Sequence, residues 1–543
     1  MNAKLELELS LSSSGQTTSH SSALLRELAV QCNRTARIAK SAHSAGLELS
    51  HLPSEVLLAI MASLPPHAVG LLDSTSRRFH GCPAPASLVA IACRTRLRAL
   101  QSNGYLASPH NESWATALAV AEGQQCNAQS TVAAGVDHTL LVVHGKVAAC
   151  GSNGQGRCGL EQDKPSFKMQ WIAALCHIKV ASVAAGGSHS LAVSVDGKLF
   201  SWGYGAGGKL GHGDELDRAT PTEVTQARTE IRRRFHSDIV TKNADEDCPL
   251  PKVHSIAAAS HHSLISTKEG EVFTFGHPGH DRLGIRHPVT VEEEGQILMP
   301  QIQPPANVLR PTNIRLEQYA MRRGEGRVMQ VSAHSFHSLA LTAEGKVYAW
   351  GRNDKGQLGI RSEGTPSMLP ALVPNISDRR LVCIAAGLEH SAAVTAKGVL
   401  FTFGSVGPWL GTGPAHPAEV HNNGKQPPTV VDALWGIPVA SVSAGDSYTA
   451  IVLRDGRVMT CGLGEKGVLG HGNEADIDTP QPVPIPPSPP GMLPVVAAGT
   501  IHCGVLTHGG LWAFGAGEHG KLGAGNDEDQ WAPVECPPPV QPG

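Results

Sequence analysis

One eight-residue segment recurs seven times, and that recurrence limits the fold more than any other feature of the chain. It reads VAAGVDHT at 132–139, VAAGGSHS at 183–190, IAAASHHS at 256–263 and VSAHSFHS at 331–338. It returns as IAAGLEHS at 384–391, VSAGDSYT at 442–449 and VAAGTIHC at 496–503. A second segment follows each copy: GKVAACG at 145–151, GKLFSWG at 197–203, GEVFTFG at 270–276, GKVYAWG at 345–351, GVLFTFG at 398–404, GRVMTCG at 456–462 and GGLWAFG at 509–515. A Leu-Gly pair closes six of the units, from Leu210-Gly211 to Leu522-Gly523, and Cys158-Gly159 closes the first. A length of 543 residues would otherwise suggest several independent domains. Self-similarity at a fixed period instead reads as one repetitive body.

Within each unit the local chemistry is β. Two short apolar runs flank a turn pair such as Asp196-Gly197, Glu269-Gly270, Glu344-Gly345, Lys397-Gly398 or Asp455-Gly456. Glycine there supplies the positive φ of a tight hairpin. The second run alternates, as in Val347-Tyr348-Ala349-Trp350, which suits a pleated strand with two different faces. Trp202, Trp350, Phe275, Phe403 and Phe514 share one position of that run and are read as core. Seven such units predict a mainly β fold, a seven-bladed β-propeller of four-stranded blades.

These units resemble the repeats of the regulator of chromosome condensation family. The family's unit runs G-x-V-x-x-W-G, G-x-L-G, P-x-x-V and V-A-A-G-x-x-H-S/T, and all four parts occur here in order, with Pro221 to Val224 supplying the third in one unit. The resemblance covers about 130–536 and implies the family's seven-bladed propeller. The phase of the repeat predicts a seam, with the strand at 130–143 completing the blade begun at 510–535. Such a seam would tie the chain ends together and leave no open sheet edge.

Longer spans lie between each Leu-Gly and the next V-A-A-G strand, at about 214–254, 285–327, 361–383, 412–440 and 473–494. They are read as insertions on one face of the propeller. Arg232, Arg233, Arg234, Arg322 and Arg323 lie in the two longest and are the candidates for a substrate-binding face, alongside the acidic runs Asp245-Glu246-Asp247 and Glu292-Glu293-Glu294. Long loops on a rigid scaffold often carry function, and solvated insertions without a role fit the same composition.

The region before the repeats is a different module. Residues 1–50 are Ser-rich and are read as a disordered segment. Within them Leu5-Glu6-Leu7-Glu8-Leu9-Ser10-Leu11 resembles the short L-x-L-x-L motif of plant transcriptional repressors, a common pattern. The segment 52–79, LPSEVLLAIMASLPPHAVGLLDSTSRRF, is more informative. Val56, Leu57, Ile60, Met61 and Leu64 recur at helical spacing, Pro53 suits a first helical turn, and Pro65-Pro66 ends the helix. A helical cap packed on the propeller would show the same stripe. The order L-P-x-E-V-L-x-x-I, L-P, a Leu pair and S-R-R-F also resembles the F-box. That resemblance implies docking to the Skp-type adaptor of a cullin ubiquitin ligase through Leu52, Pro53, Val56, Leu57, Ile60, Leu64, Pro65, Leu71 and Leu72. The expected organisation is an α-helical F-box module at 51–82, a helical linker at 83–129, the propeller at 130–536 and a Pro-rich tail at 537–543.

Composition narrows the function. The formal charge of -3, from 44 Lys+Arg against 47 Asp+Glu, gives no electrostatic footprint for non-specific nucleic-acid binding. No run of 18 uncharged apolar residues occurs, so no membrane span is expected. Glu6 and Glu8 interrupt the first apolar stretch, which argues against a secretory signal. None of the 12 cysteines forms a Cys-x-x-Cys pair, so reduced thiols in cytosol or nucleus are expected. Two G-x-G-x-x-G strings, at 462–467 and 515–520, fall at the repeat phase with no helical pattern after them and are not read as nucleotide sites. His138, His189, His262, His337, His390 and His502, with Tyr448 as the seventh, hold one repeat position and so belong to seven different blades. Buried hydrogen bonds are expected of them rather than metal ligation. A related plant propeller senses UV-B through tryptophans in G-W-R-H-T segments, and this sequence contains none. No catalytic residue, metal or cofactor is assigned. The reading is a substrate-recognition subunit of a Skp–cullin–F-box ubiquitin ligase, with a protein substrate on the propeller and ubiquitin transfer left to partners. The alternatives are a guanine-nucleotide exchange factor for a Ran-like small GTPase, as the founding member of the propeller family is, and a plain scaffold.

Overall fold

A computed structural model describes residues 131–227, 247–285, 306–316, 327–360, 367–414, 424–486 and 493–539. All nine adaptor-docking candidates, Leu52 to Leu72, and the five arginine candidates lie outside these residues, as do the expected F-box and linker.

Seven four-stranded antiparallel sheets follow one another along the chain, each in simple sequence order. Blade one comprises Val132–Ala134, His138–Val143, Lys146–Gly151 and Ser166–Trp171. Blade two runs from Val180–Ala185 to Arg218–Glu223, blade three from Val253–Ala258 to Val308–Asn313, and blade four from Val328–Ala333 to Ser367–Leu372. Blades five, six and seven begin at Leu381–Ala386, Val439–Ala444 and Val495–Ala498, and end at Lys425–Val430, Ile477–Pro482 and Gln530–Glu535. The V-A-A-G segment is thus the first, innermost strand of its blade. The recurring His opens the second strand and G-x-V-x-x-W-G forms the third.

The cores lie between neighbouring blades. Val183 and Trp202 of blade two cluster with Leu140, Val147 and Cys158 of blade one. The same arrangement joins blades four and five around Phe403 and blades six and seven around Phe514. Trp202, Trp350, Phe275, Phe403 and Phe514 are fully buried, as their repeat position implies. Each packs on the closing turn of the blade before, Cys158-Gly159 for Trp202 and a Leu-Gly pair for the other four. A Cβ at Gly284 would stand 2.7 Å from Trp350 Nε1, and Gly284 has φ +67, so glycine answers both constraints there.

Two expectations fail. The ring has no exchanged strand: Val132–Ala134 pairs with His138–Val143 of its own blade, and blade seven has its own inner strand, Val495–Ala498. The error is one of phase. The repeat begins at V-A-A-G, so VAAGTIHC opens the last blade and every blade is contiguous in sequence. The spans after Leu-Gly are also not pure insertions. Each contains the outer strand, such as Arg218–Glu223 paired with Leu199–Gly203 or Ile477–Pro482 paired with Val458–Gly462. These strands read R-A-T-P-T-E and I-D-T-P-Q-P, polar and interrupted by proline. Proline withholds a ladder donor and is tolerated because the strand is an edge.

Strand order also places the connections on two faces rather than one. Turns between the first and second strands and loops between the third and fourth share what we term the upper face. Turns between the second and third strands, and links to the next blade, share the lower face. The described residues on either side of 286–305, 361–366 and 415–423 belong to connections between third and fourth strands, and those on either side of 228–246, 317–326 and 487–492 to links between blades. The two arginine-bearing spans are both rooted on the lower face. The first of them leaves from Thr225–Ala227 and returns through Asp247–Pro249, which pair as a two-stranded ribbon.

Candidate functional site

The upper face is built from a side-chain chain that runs round the ring. His138 Nε2 meets Ser190 Oγ of the next blade at 2.8 Å. His189, His262 and His337 meet Ser263, Ser338 and Ser391 at the same distance, and His390 meets Thr449 at 2.9 Å. His502 of blade seven closes the circuit on Thr139 of blade one at 2.9 Å. Each hydroxyl also donates to a backbone carbonyl, as Ser190 does to Arg157 and Ser263 to Lys209. A hydroxyl has one proton, so it accepts from the imidazole and the histidines carry theirs on Nε2. Burial drives the imidazole pKa down to about 3 for His138, His337 and His390, and well down for the other three. These histidines are neutral structural donors on separate blades. Among the described residues no cluster of His, Cys, Asp or Glu is arranged to hold a metal.

The seventh junction is built differently on both sides. Tyr448 replaces the histidine and Cys503 replaces the Ser or Thr that would receive it. The Tyr448 hydroxyl donates to His502 O at 2.7 Å, beside the Cys503 thiol.

The residue before the closing Leu-Gly or Cys-Gly pair provides the hydroxyl's carbonyl partner at six junctions, and Val468 holds the same position opposite Cys503. These residues are Arg157, Lys209, Arg282, Gln357, Trp409, Val468 and Lys521. Four consecutive junctions, from seven–one through three–four, therefore carry a cation. Lys521, 1% exposed, pairs with Asp137 at 3.2 Å, and Arg157 approaches the same carboxylate at 3.6 Å. This shared carboxylate helps join the first and last blades. Thr139 also donates to Lys521 O, and Gly525 N donates to Phe167 O. Lys209 and Arg282 have no equivalent of Asp137. Burial lowers the Lys209 ammonium to about 8 and the Arg282 guanidinium to about 10. Around them lie Tyr204, Phe336, His261, His277 and His280. Sequence reading missed this group, although its signal was present in the column preceding Leu-Gly.

At the mouth of the ring His334 stands where most units have glycine. Its Nε2 lies 3.1 Å from Asp446 Oδ1, so turns of blades four and six are joined past blade five. The two G-x-G-x-x-G strings end third strands and enter three-residue 3-10 turns, Glu465–Gly467 and Glu518–Gly520. Neither precedes an α-helix, so the phosphate-cradling geometry is absent at both.

Comparison with known proteins agrees with this architecture. A pattern described as "Regulator of chromosome condensation (RCC1) repeat" matches residues 196–236, 344–394, 455–506 and 508–541. A second pattern of the same description matches 180–208, 330–357 and 439–468. The chain is 26% identical over 404 residues to the ultraviolet-B receptor UVR8 of Arabidopsis thaliana, covering 74% of this chain and 79% of that one. It is 30% identical over 337 residues to the E3 ubiquitin-protein ligase HERC2 of Homo sapiens, covering 61% of this chain but 6% of that far longer protein. Among solved structures, Prp20p from Saccharomyces cerevisiae superposes with a TM-score of 0.57 at 19% identity, covering 77% of this chain and 89% of that one. At that identity the likeness speaks for the fold alone. The chain thus carries RCC1 repeats, folded as a seven-bladed propeller related to those of RCC1-type proteins and HERC ligases.

Proposed function

We propose that the chain is a substrate receptor of a Skp–cullin–F-box ubiquitin ligase. Its 52–79 segment docks the adaptor and its propeller holds a protein substrate. The observation that carries the reading is the ungapped order L-P-S-E-V-L-L-A-I, L-P, Leu71-Leu72 and Ser76-Arg77-Arg78-Phe79 in a chain that goes on to form a complete propeller. The division of labour has a physical rationale. A motif of roughly forty residues buries too little surface to be stable alone, so partner-supported folding is its natural state. A rigid ring with loops on both faces is a binding platform. The receptor's contribution to catalysis is then proximity, raising the target's effective concentration beside a charged ubiquitin-conjugating enzyme.

The test is capture of a purified Skp-type adaptor by the full-length protein, beside the double variant Leu57→Asp/Ile60→Asp. Binding by the wild type that the variant loses is the expected result. A folded wild type that captures no adaptor would overturn the reading. Fold likeness does not transfer the exchange activity of RCC1-type proteins. Nucleotide release from a Ran-like GTPase, measured in parallel, separates that alternative.

A further inference from the structure

Two buried cations on the upper face form no ion pair among the described residues. Lys209 is 4% exposed and Arg282 is 3% exposed. Lys209 Nζ makes no hydrogen bond there and lies 4.5 Å over the centre of the exposed Tyr204 ring. Arg282 spends Nε on Gly279 O at 2.5 Å and Nη1 on Ser335 O at 2.8 Å, both neutral carbonyls. Its remaining N–H donors have no acceptor among the described residues. Asp217 stands near Lys209 without pairing with it and accepts from Gly205 N, and Asp354 pairs with Arg352. The contrast lies within one repeat position, since Arg157 and Lys521 share Asp137.

A charge withdrawn from water is costly unless it is paired. Burial here also lowers both pKa values, the direction expected of cations short of an anion. The surroundings are aromatic. The Arg282 and Arg352 guanidiniums lie over the Phe336 ring, 5.3 and 4.9 Å from its centre, and His280 meets it edge-on at 5.4 Å. His261 and His277 stand 6.3 Å apart beside them. Buried donors beside partly exposed rings are the composition of a binding hot spot.

We propose that this upper-face band, from Tyr204 through Lys209 and Arg282 to Phe336, binds an acidic peptide segment of a protein partner. Its carboxylates would pair with the two cations that form no ion pair, and its apolar side chains would lie on the rings. A protein ligand fits better than a nucleic acid. Two unneutralised cations do not track a phosphate backbone, and the chain as a whole is slightly acidic. The inference rests on the propeller half of the receptor reading and is independent of adaptor docking.

The experiment is fluorescence anisotropy of a labelled peptide of alternating glutamate and tyrosine, titrated with full-length protein and no adaptor present. Saturable binding is expected, weakened roughly tenfold or more by Lys209→Gln and by Tyr204→Ser. Arg457→Gln on the lower face should leave it unchanged, and a lysine-for-glutamate peptide should not bind. Tyr204 is partly exposed, so its variant keeps the test valid if Lys209→Gln fails to fold, which a thermal melt reports. No saturable binding by folded wild type, equal loss with Arg457→Gln, or tighter binding of oligothymidylate would each overturn the proposal. Because the adaptor is absent, failure here and failure of adaptor capture are separate results.

Discussion

At the junction between blades six and seven, Tyr448 and Cys503 stand where six other junctions pair a histidine with a serine or threonine. The two changes make sense together. An imidazole would face a thiol, which accepts hydrogen bonds weakly, whereas the longer tyrosine also reaches a carbonyl, that of His502. Tyr448→His alone should therefore cost about 1–2 kcal/mol, and Cys503→Ser a similar amount. The double variant should cost less than their sum by about 1 kcal/mol or more, read from urea midpoints in a double-mutant cycle. Strict additivity would contradict the pairing. The six histidines also set a pH dependence. Burial holds His138, His337 and His390 at about 3, against 6.5 in the unfolded chain, so the unfolded state binds more protons between those values. Their contribution is complete above pH 6.5 and is lost as pH falls towards 3, by about 2 kcal/mol per histidine near pH 5. The urea midpoint should fall steadily below neutrality and stay level between about pH 7 and 8. A level midpoint down to about pH 5 would show that the imidazoles are not held neutral.

At the scale of strands and turns, the glycines separate two costs. Gly284 and Gly456 both have positive φ, +67 and +89. A methyl group at Gly284 collides with the Trp350 indole, while at Gly456 nothing lies within 4 Å. Gly284→Ala should cost about 2–4 kcal/mol and Gly456→Ala only about 1, the backbone share, as read by thermal or urea denaturation. Equal costs would mean that the Leu-Gly turn does not abut the next blade. These elements were legible because their chemistry is local. Asp-Gly marks a hairpin, and Val347-Tyr348-Ala349-Trp350 alternates as a half-buried strand must. The outer strands were less legible. Arg-Ala-Thr-Pro-Thr-Glu has little apolar alternation, because an edge strand is not required to bury a face. The cations before Leu-Gly were overlooked for another reason. They recur in one column of the repeat, but burial of Lys209 follows from a neighbouring blade that sequence spacing does not reveal.

At the scale of the whole molecule, contiguous blades change what closes the ring. An exchanged strand would have tied the ends through backbone ladders. Here the seam relies on Thr139, Lys521 and Asp137, together with an apolar cluster joining Val132 and Leu141 to Ala497 and Leu511. The repeat count and blade composition could be read directly from the sequence, whereas the phase could not. A cyclic pattern looks the same from any starting strand, and pairing partners alone fix where a blade begins. The two faces that result are chemically distinct. The upper carries buried cations without ion pairs among aromatic rings, and the lower carries the links between blades. Such a platform serves the proposed receptor if the 52–79 segment brings it to a ligase. The most direct measurement is ubiquitin transfer in a reconstituted adaptor–cullin–RING assembly, with the full-length chain itself as the acceptor. Proximity predicts that ubiquitin accumulates on the wild-type chain only when the adaptor is present, and not on Leu57→Asp/Ile60→Asp. Equal modification of both chains, or none of the wild type by an assembly that modifies a known receptor, would contradict the account.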